Sequence, residues 1–381
     1  MSLPIWLFAI SLAGWATAFA LTGVARGLGE LVGAVDRPRA GEVQLRSVPR
    51  SGGYAVLAGL WLALVVIVAL RPADIPSNPA DDLKLLGAIL GTVALVPLAI
   101  LDDRRRLGPW PQFLGQLVVA AIPVAFGLRL ESLASPLGQP FPLPEWLDVP
   151  LTLFWIVGMI NAVNLIDVMD GLAGGIAAVA ALVLFLRSFW FGQYSIAALP
   201  LALLACLLGF LPRNFYPARV FMGSSGAILL GYWLAVTSVI GGAKVGTAFV
   251  VLGLPILDTA WVIVRRLARG RSPFRGGDQE HLPHRLHALG LSHLQTVLLL
   301  YAFVAVFGGL SLGLHSPATG PTLEKLFLLI GMTTSVTMVL ALVTWLGLRK
   351  RPLPAADQGA PDGDTADRTS SGWNLGHRTE S

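Results

Sequence analysis

Inside a bilayer there is no water to satisfy backbone polar groups, so a spanning chain must form helices or a closed barrel. This sequence is built around that demand. Apolar runs of about 18 to 25 residues, the length of a membrane-crossing helix, lie at about 3–25, 52–70, 84–101, 112–130, 149–166, 172–191, 195–212, 225–242, 247–265, 294–314 and 323–347. Only 13% of the 381 residues are charged, about half the share of a soluble domain. The runs are continuous, without the alternation of barrel strands. The fold class is therefore all-α, a polytopic membrane protein with about eleven transmembrane helices.

Orientation follows from Lys and Arg. With the N-terminus outside, nineteen of the 27 fall in cytoplasmic loops or the inner C-terminal flank and six fall outside. The positive-inside rule then gives an external N-terminus and a cytoplasmic C-terminus. The first run opens "MSLPIWLF" without a basic segment, which reads as an uncleaved span. The polar stretch from about 352, rich in Gly, Pro, Asp and Ser, reads as a disordered tail. The membrane domain is placed at 1–348 and the cytoplasmic tail at 349–381. Cys206 is the single cysteine, which excludes a disulfide framework. No nucleic-acid motif is present, and no internal repeat of the kind that marks many transporters.

In this topology the unusual polar clusters share the cytoplasmic face. "VPRSGG" (48–53) enters the second span, and "LDDRRRLGPWPQ" (101–112) joins the third to the fourth. "NAVNLIDVMDGLAGG" (161–175) ends the fifth, and "RNFYPARVFMGSSGA" (213–227) joins the seventh to the eighth. "RGRSPFRGGDQEHLPHRLHALGLSH" (269–293) joins the ninth to the tenth. Asp102 and Asp103 have the hard oxygen ligands that suit Mg²⁺ beside substrate phosphates, although an interfacial acid–base pair reads the same way. Asn161, Asn164, Asp167 and Asp170 recur every third residue. On a straight helix each step turns about 60°, so the four cannot line one site unless the helix breaks near Gly171 or tightens into a 3₁₀ turn. Polar groups of this kind also serve as interhelical hydrogen bonds, but ionisable groups within membrane segments are functional by default. The Gly pairs of "PRSGG" and "GLAGG" offer either backbone N–H groups for phosphate or close helix packing. Asp278, His281, His284, Arg285 and His287 crowd one loop. The HExxH helix of zinc proteases is absent, and imidazoles with an arginine suit diphosphate.

Taken in order, these motifs resemble the polyprenyl-phosphate N-acetylhexosamine-1-phosphate transferases over about residues 1–348, with the phospho-muramoyl-pentapeptide transferases as more distant relatives. The resemblance implies eleven spans in the bacterial inner membrane with a cytoplasm-facing active site. It implies transfer of a sugar 1-phosphate from a UDP-sugar to undecaprenyl phosphate, releasing UMP and starting cell-envelope polysaccharide assembly. It implies Mg²⁺, with Mn²⁺ as an alternative. It makes Asp102, Asp103, Asp167 and Asp170 the catalytic acids, with metal ligation by Asp102 and Asp103 and further candidates in Asp167, Asp170 and Ser224. It assigns Arg46, Asn161, Asn164, Gly171, His281, His284 and Arg285 to substrate. Three positions depart from the family pattern: Ser224 stands for an Asp metal ligand, Pro283 for a His, and Val168 for a Gly. A catalytically degenerate paralogue that binds lipid phosphate or nucleotide is the rival reading. An ion-coupled transporter would need polar groups at the bilayer midplane. Small-residue helix faces would allow a homodimer.

Overall fold

The computed structural model describes residues 1–32, 35–36, 48–76, 78–105, 107–133, 141–240, 245–270, 280–314 and scattered positions between 330 and 344. At its centre is α8 (Gly223–Val239), in which every residue except Ser224 is buried. A helix apolar on all sides belongs inside a bundle. At 17 residues it is about 25 Å long, shorter than the hydrocarbon core. Its neighbours complete the span: α2 (Gly52–Ala69), α3 (Pro79–Arg105), α5 (Glu145–Ile166), α6 (Leu172–Trp190) and α7 (Tyr194–Asn214) all pack on it. Outside these lie α1 (Leu3–Val32), against α2 and α7, and α4 (Pro109–Ala125), between α3 and α5.

Seven helices are long and apolar enough to cross a membrane, and an eighth is gained if one bent pair is a single span. Large apolar side chains such as Phe8, Val65 and Phe154 point outward from them, as lipid-facing residues do. The chain is a polytopic helical membrane protein. The expected straight span at 247–265 is instead a bent pair, α9 (Val245–Val251) and α10 (Gly253–Ala268), meeting at 72°. Pro255, in the first turn of α10, has no N–H to donate back across the junction, so the two helices are not one hydrogen-bonded rod. The short α11 (Leu282–Ala288) follows, and then the long α12 (His293–Leu314), which returns against α6 and α9. Strands among the described residues are two small antiparallel pairs, β1 (Val35–Asp36) with β2 (Val48–Pro49) and β3 (Ser132–Leu133) with β4 (Phe141–Pro142). They modify the all-α expectation only in the loops. The expected eleventh span and the tail at 349–381 fall largely or wholly outside the described residues.

Close backbone contact replaces large side chains where helices cross, as membrane interiors favour. A Cβ on Gly53 would lie 2.3 Å from the Gly226 nitrogen, and one on Gly231 would lie 2.5 Å from Ile160 Cα. Neither backbone can retreat without moving its helix. Gly53→Ala is therefore expected to lower stability by about 1–3 kcal/mol. Gly158→Ala, where a Cβ meets nothing within 4 Å, is expected to leave it unchanged or slightly raised. Thermal midpoints of detergent-solubilised protein, followed by size exclusion, compare the two.

Candidate active site

Two chain segments far apart in sequence are joined where α2 and α8 begin. Phe221 donates its N–H to the Pro49 carbonyl at 2.9 Å, Gly52 to Phe221 at 2.9 Å and Gly53 to Met222 at 2.8 Å. This three-bond zip needs bare backbone. A Cβ on Gly52 would strike the Phe210 ring at 2.3 Å and one on Gly223 the Arg50 carbonyl at 2.5 Å. Gly223 also sits at φ 76°, a conformation glycine adopts without strain. Ser51 fastens the same strand to α1 through the Ala25 carbonyl at 2.6 Å. Of the two readings open for "PRSGG", close packing is the one the geometry shows.

The zip carries Arg50 to the end of α3, where the two aspartates differ. Asp102 is buried. One oxygen accepts the Leu107 N–H at 3.1 Å, the other lies 3.5 Å from Gln112 Nε2, and the Ser224 hydroxyl also bonds the carboxylate. Asp103 accepts Tyr54 Oη at Oδ2, 3.0 Å away. Its Oδ1 lies on the Gly223 side.

The second pair of acids arrives through a broken helix. α5 stops at Ile166, and residues 167–171 form tight turns with Asp167 N–H on the Asn164 carbonyl and Leu172 N–H on Met169. Gly171 then starts α6 at φ 77°. Tyr301 of α12 donates to the Gly171 carbonyl, and a Cβ on Gly175 would overlap that hydroxyl. Asp170 accepts the Ala218 N–H at 2.9 Å, which pins the 214–222 loop over the break. Burial raises the Asp170 carboxyl above its ordinary range, opposed by that N–H and by the neighbouring His293. Asp167 is pushed up to about 7, chiefly by desolvation. Arg50 opposes the shift, while Asp170 and Asp103 add to it. Arg50 thus faces acids from both pairs, Asp102 and Asp167.

Other expected site residues are placed elsewhere. Asn161 turns to α4, where its amide donates to Gln116 Oε1 at 2.6 Å and to the Val157 carbonyl. Asn164 stays half-buried in the last turn of α5. Arg46 and Asp278 lie outside the described residues. Pro283 stands in the first turn of α11, where a missing N–H costs nothing. His281 precedes it and is buried, with Nδ1 2.9 Å from Asp258 Oδ2. Arg285 donates to Asp258 Oδ1 at 3.0 Å and to Thr344. His284 is half-buried. Sequence reasoning passed over Asp258, although a carboxylate within the apolar stretch "LGLPILDTAWVIV" carries the signal that singled out Asp167.

Among the described residues no three His, Cys, Asp or Glu side chains converge on a common point. Magnesium asks for less, since it takes one or two carboxylates and completes its shell with water and substrate phosphates. Asp103 and Asp167, coupled electrostatically and not enclosed by donors as Asp102 is, fit that requirement. In metal-free protein Asp167 is expected to titrate near pH 7. Arg50→Gln removes the charge that favours the carboxylate and moves the titration upward. Asp170→Asn removes a like charge and moves it downward. The protonated-carboxyl infrared band of the three proteins, followed against pH, reads both directions.

The glycosyl transferase family 4 model matches residues 85–242, which contain both acid pairs. A probable undecaprenyl-phosphate N-acetylglucosaminyl 1-phosphate transferase of Bacillus subtilis (strain 168) is 34% identical over 334 residues, 86% of this chain and 90% of that protein. A decaprenyl-phosphate N-acetylglucosaminephosphotransferase of Mycobacterium leprae is 31% identical, covering 84% of this chain and 87% of its own. An undecaprenyl-phosphate alpha-N-acetylglucosaminyl 1-phosphate transferase of Escherichia coli (strain K12) is 28% identical, covering 75% and 78%. With the acid pairs, the broken helix and near full-length similarity all in agreement, this chain belongs to glycosyl transferase family 4.

Proposed function

We propose that the protein transfers N-acetylglucosamine 1-phosphate from its UDP-sugar to undecaprenyl phosphate, yielding the polyprenyl diphosphate sugar and UMP. The observation that carries this reading is the electrostatic coupling of desolvated Asp167 to Asp103 and to Arg50, which the α2–α8 zip holds in place. The names of the relatives support the choice of sugar and lipid. In the reaction a phosphate oxygen of the lipid attacks the sugar-bearing phosphorus. A new P–O bond forms, the P–O bond to UMP breaks, and UMP leaves with its electron pair. The acceptor is a phosphate monoester with a second pKa of about 6, so no strong base is needed to ionise it. Positioning and neutralisation of charge dominate in such transfers.

Asp103 and Asp167 would hold a Mg²⁺ ion, with Mn²⁺ as an alternative, and when bound it would neutralise the diphosphate. Tyr54 holds the Asp103 carboxylate, and Arg50 offers positive charge on the same side. Asp170 keeps the 214–222 loop closed over the broken helix. The loop bearing His281, His284 and Arg285 supplies the facing wall. Our reading of the topology is eleven spans, with the N-terminus outside the bacterial inner membrane and the site on the cytoplasmic face. The skew of Lys and Arg supports it.

A second reading rests on Ser224. Its hydroxyl bonds Asp102 where the family pattern has a carboxylate, as a protein that binds without turnover would tolerate. Purified protein with Mg²⁺, undecaprenyl phosphate and UDP-N-acetylglucosamine is expected to release UMP, and Asp103→Asn to lower the rate by at least about 100-fold. Silence of the wild type across a panel of UDP-sugars, with activity appearing in Ser224→Asp, would establish the second reading instead. The topology has its own check. Cys206 is buried, so an added cysteine reports alone. An impermeant maleimide should label Ser2→Cys in intact cells and Ser371→Cys only after the membrane is opened.

A further inference from the structure

Asp258 takes no part in the chemistry proposed above, yet it is the most heavily engaged carboxylate of the α10–α11 region. It is 2% exposed. It accepts the Leu282 N–H at 3.1 Å on each oxygen, lies 2.9 Å from His281 Nδ1, and takes Arg285 Nη2 at 3.0 Å. Leu282 N–H and the Arg285 guanidinium both donate to it, so the carboxylate acts as an acceptor, and a ring nitrogen facing it is a donor. The proton on the Asp258 side of the His281 ring is therefore on Nδ1, and Nε2 is the nitrogen with its lone pair or second proton available.

Neighbouring contacts serve the same end. Glu280 pairs with Arg266 at 3.0 Å and Arg269 at 3.5 Å, fastening the residue before His281 to the last turn of α10. Thr344 accepts from both Arg285 and Trp261, so a C-terminal position is tied to α10 and α11 together. Asp258 meanwhile caps α11 from another helix, since its start has no side-chain cap of its own. Ile166 and Leu172, which flank the broken helix bearing Asp167 and Asp170, line one small cavity with Asp258, Leu282 and Pro283. The network thus shares a cavity lining with the residues on either side of the break.

We infer that Asp258 is a positioning residue for the transfer reaction, holding His281 with Nδ1 protonated and setting α11 against the acid site. This rests on the reaction proposed above and adds the residue that orients its histidine wall. A carboxylate behind a functional imidazole typically contributes about 10- to 100-fold to what that imidazole does.

The test uses full-length protein with ¹⁵N-labelled histidine and three variants, Asp258→Asn, Asp258→Glu and His281→Gln. The His281 Nδ1 resonance of the wild type is expected to be that of a protonated nitrogen, and Asp258→Asn to shift it. Asp258→Asn and His281→Gln are each expected to lower kcat by about 10- to 100-fold, and the double variant to fall no further than the worse single one. Asp258→Glu, which keeps the charge, should recover part of the loss. An unprotonated His281 Nδ1 in the wild type would overturn the inference, and that reading needs no activity and no variant that folds. Losses that multiply in the double variant, or a wild-type kcat in Asp258→Asn, would overturn it too. A correct Nδ1 signature in protein that releases no UMP would instead count against the proposed reaction and leave the orientation of His281 in place.

Discussion

The site depends on one backbone contact, the zip between residues 49–53 and 221–222. Three N–H groups and three carbonyls that would otherwise be stranded at helix ends find one another there. Such groups are expensive to leave unpaired away from water. Forming the bonds brings the start of α2 against the start of α8, and two residues follow into place. Arg50 lies in the zip itself, and Ser224 is the one residue of α8 that escapes burial. The glycines at 52, 53, 223 and 226 are what let this happen, since a Cβ at any of them would collide with an atom of the facing segment. Packing and chemistry are thus set by the same four positions.

The second half of the site solves a different problem. Acids at the end of an apolar helix are tolerated only when the helix stops and donors arrive. Here α5 ends at Ile166, Gly171 takes a left-handed conformation, and Ala218 and His293 come in from other segments to meet Asp170. Tyr301 holds the break open through the Gly171 carbonyl, in space cleared by Gly175. Asp167 receives less compensation. Its raised carboxyl is the residue of a desolvation cost that Arg50 only partly offsets. A group left in that condition favours any cation that enters, which is how unfavourable burial becomes a binding preference.

Much of this was legible in the sequence. Apolar run lengths located to within a few residues the seven helices long and apolar enough to cross a membrane, because a bilayer imposes one length on spans. The three-residue spacing of Asn161, Asn164, Asp167 and Asp170 left a break near Gly171 or a 3₁₀ turn as the ways to bring them together, and the chain breaks there, although Asn161 does not join the acids. What sequence could not convey was partnership. Asn161 belongs to Gln116 on α4, forty-five positions away, and nothing local predicts that pairing. The bend between α9 and α10 was missed because hydropathy is blind to direction, although Pro255 marked the place. Asp258 was missed because a lone acid in an apolar run was weighed by its neighbours in sequence, while its partners lie on α11.

The contact of Ser224 with Asp102 gives position 224 a part in the site without a charge of its own. A carboxylate placed at 224 would meet Asp102 as a like charge, and two such groups in contact need a proton or a metal between them to coexist. The serine removes that need, because its hydroxyl donates to Asp102 and joins Leu107 N–H in satisfying it. Asp102 also closes the turn after α3 through that N–H. Asp103 is held by the Tyr54 hydroxyl, and desolvated Asp167 is coupled to it electrostatically, so under the proposed reading these two would take the cation.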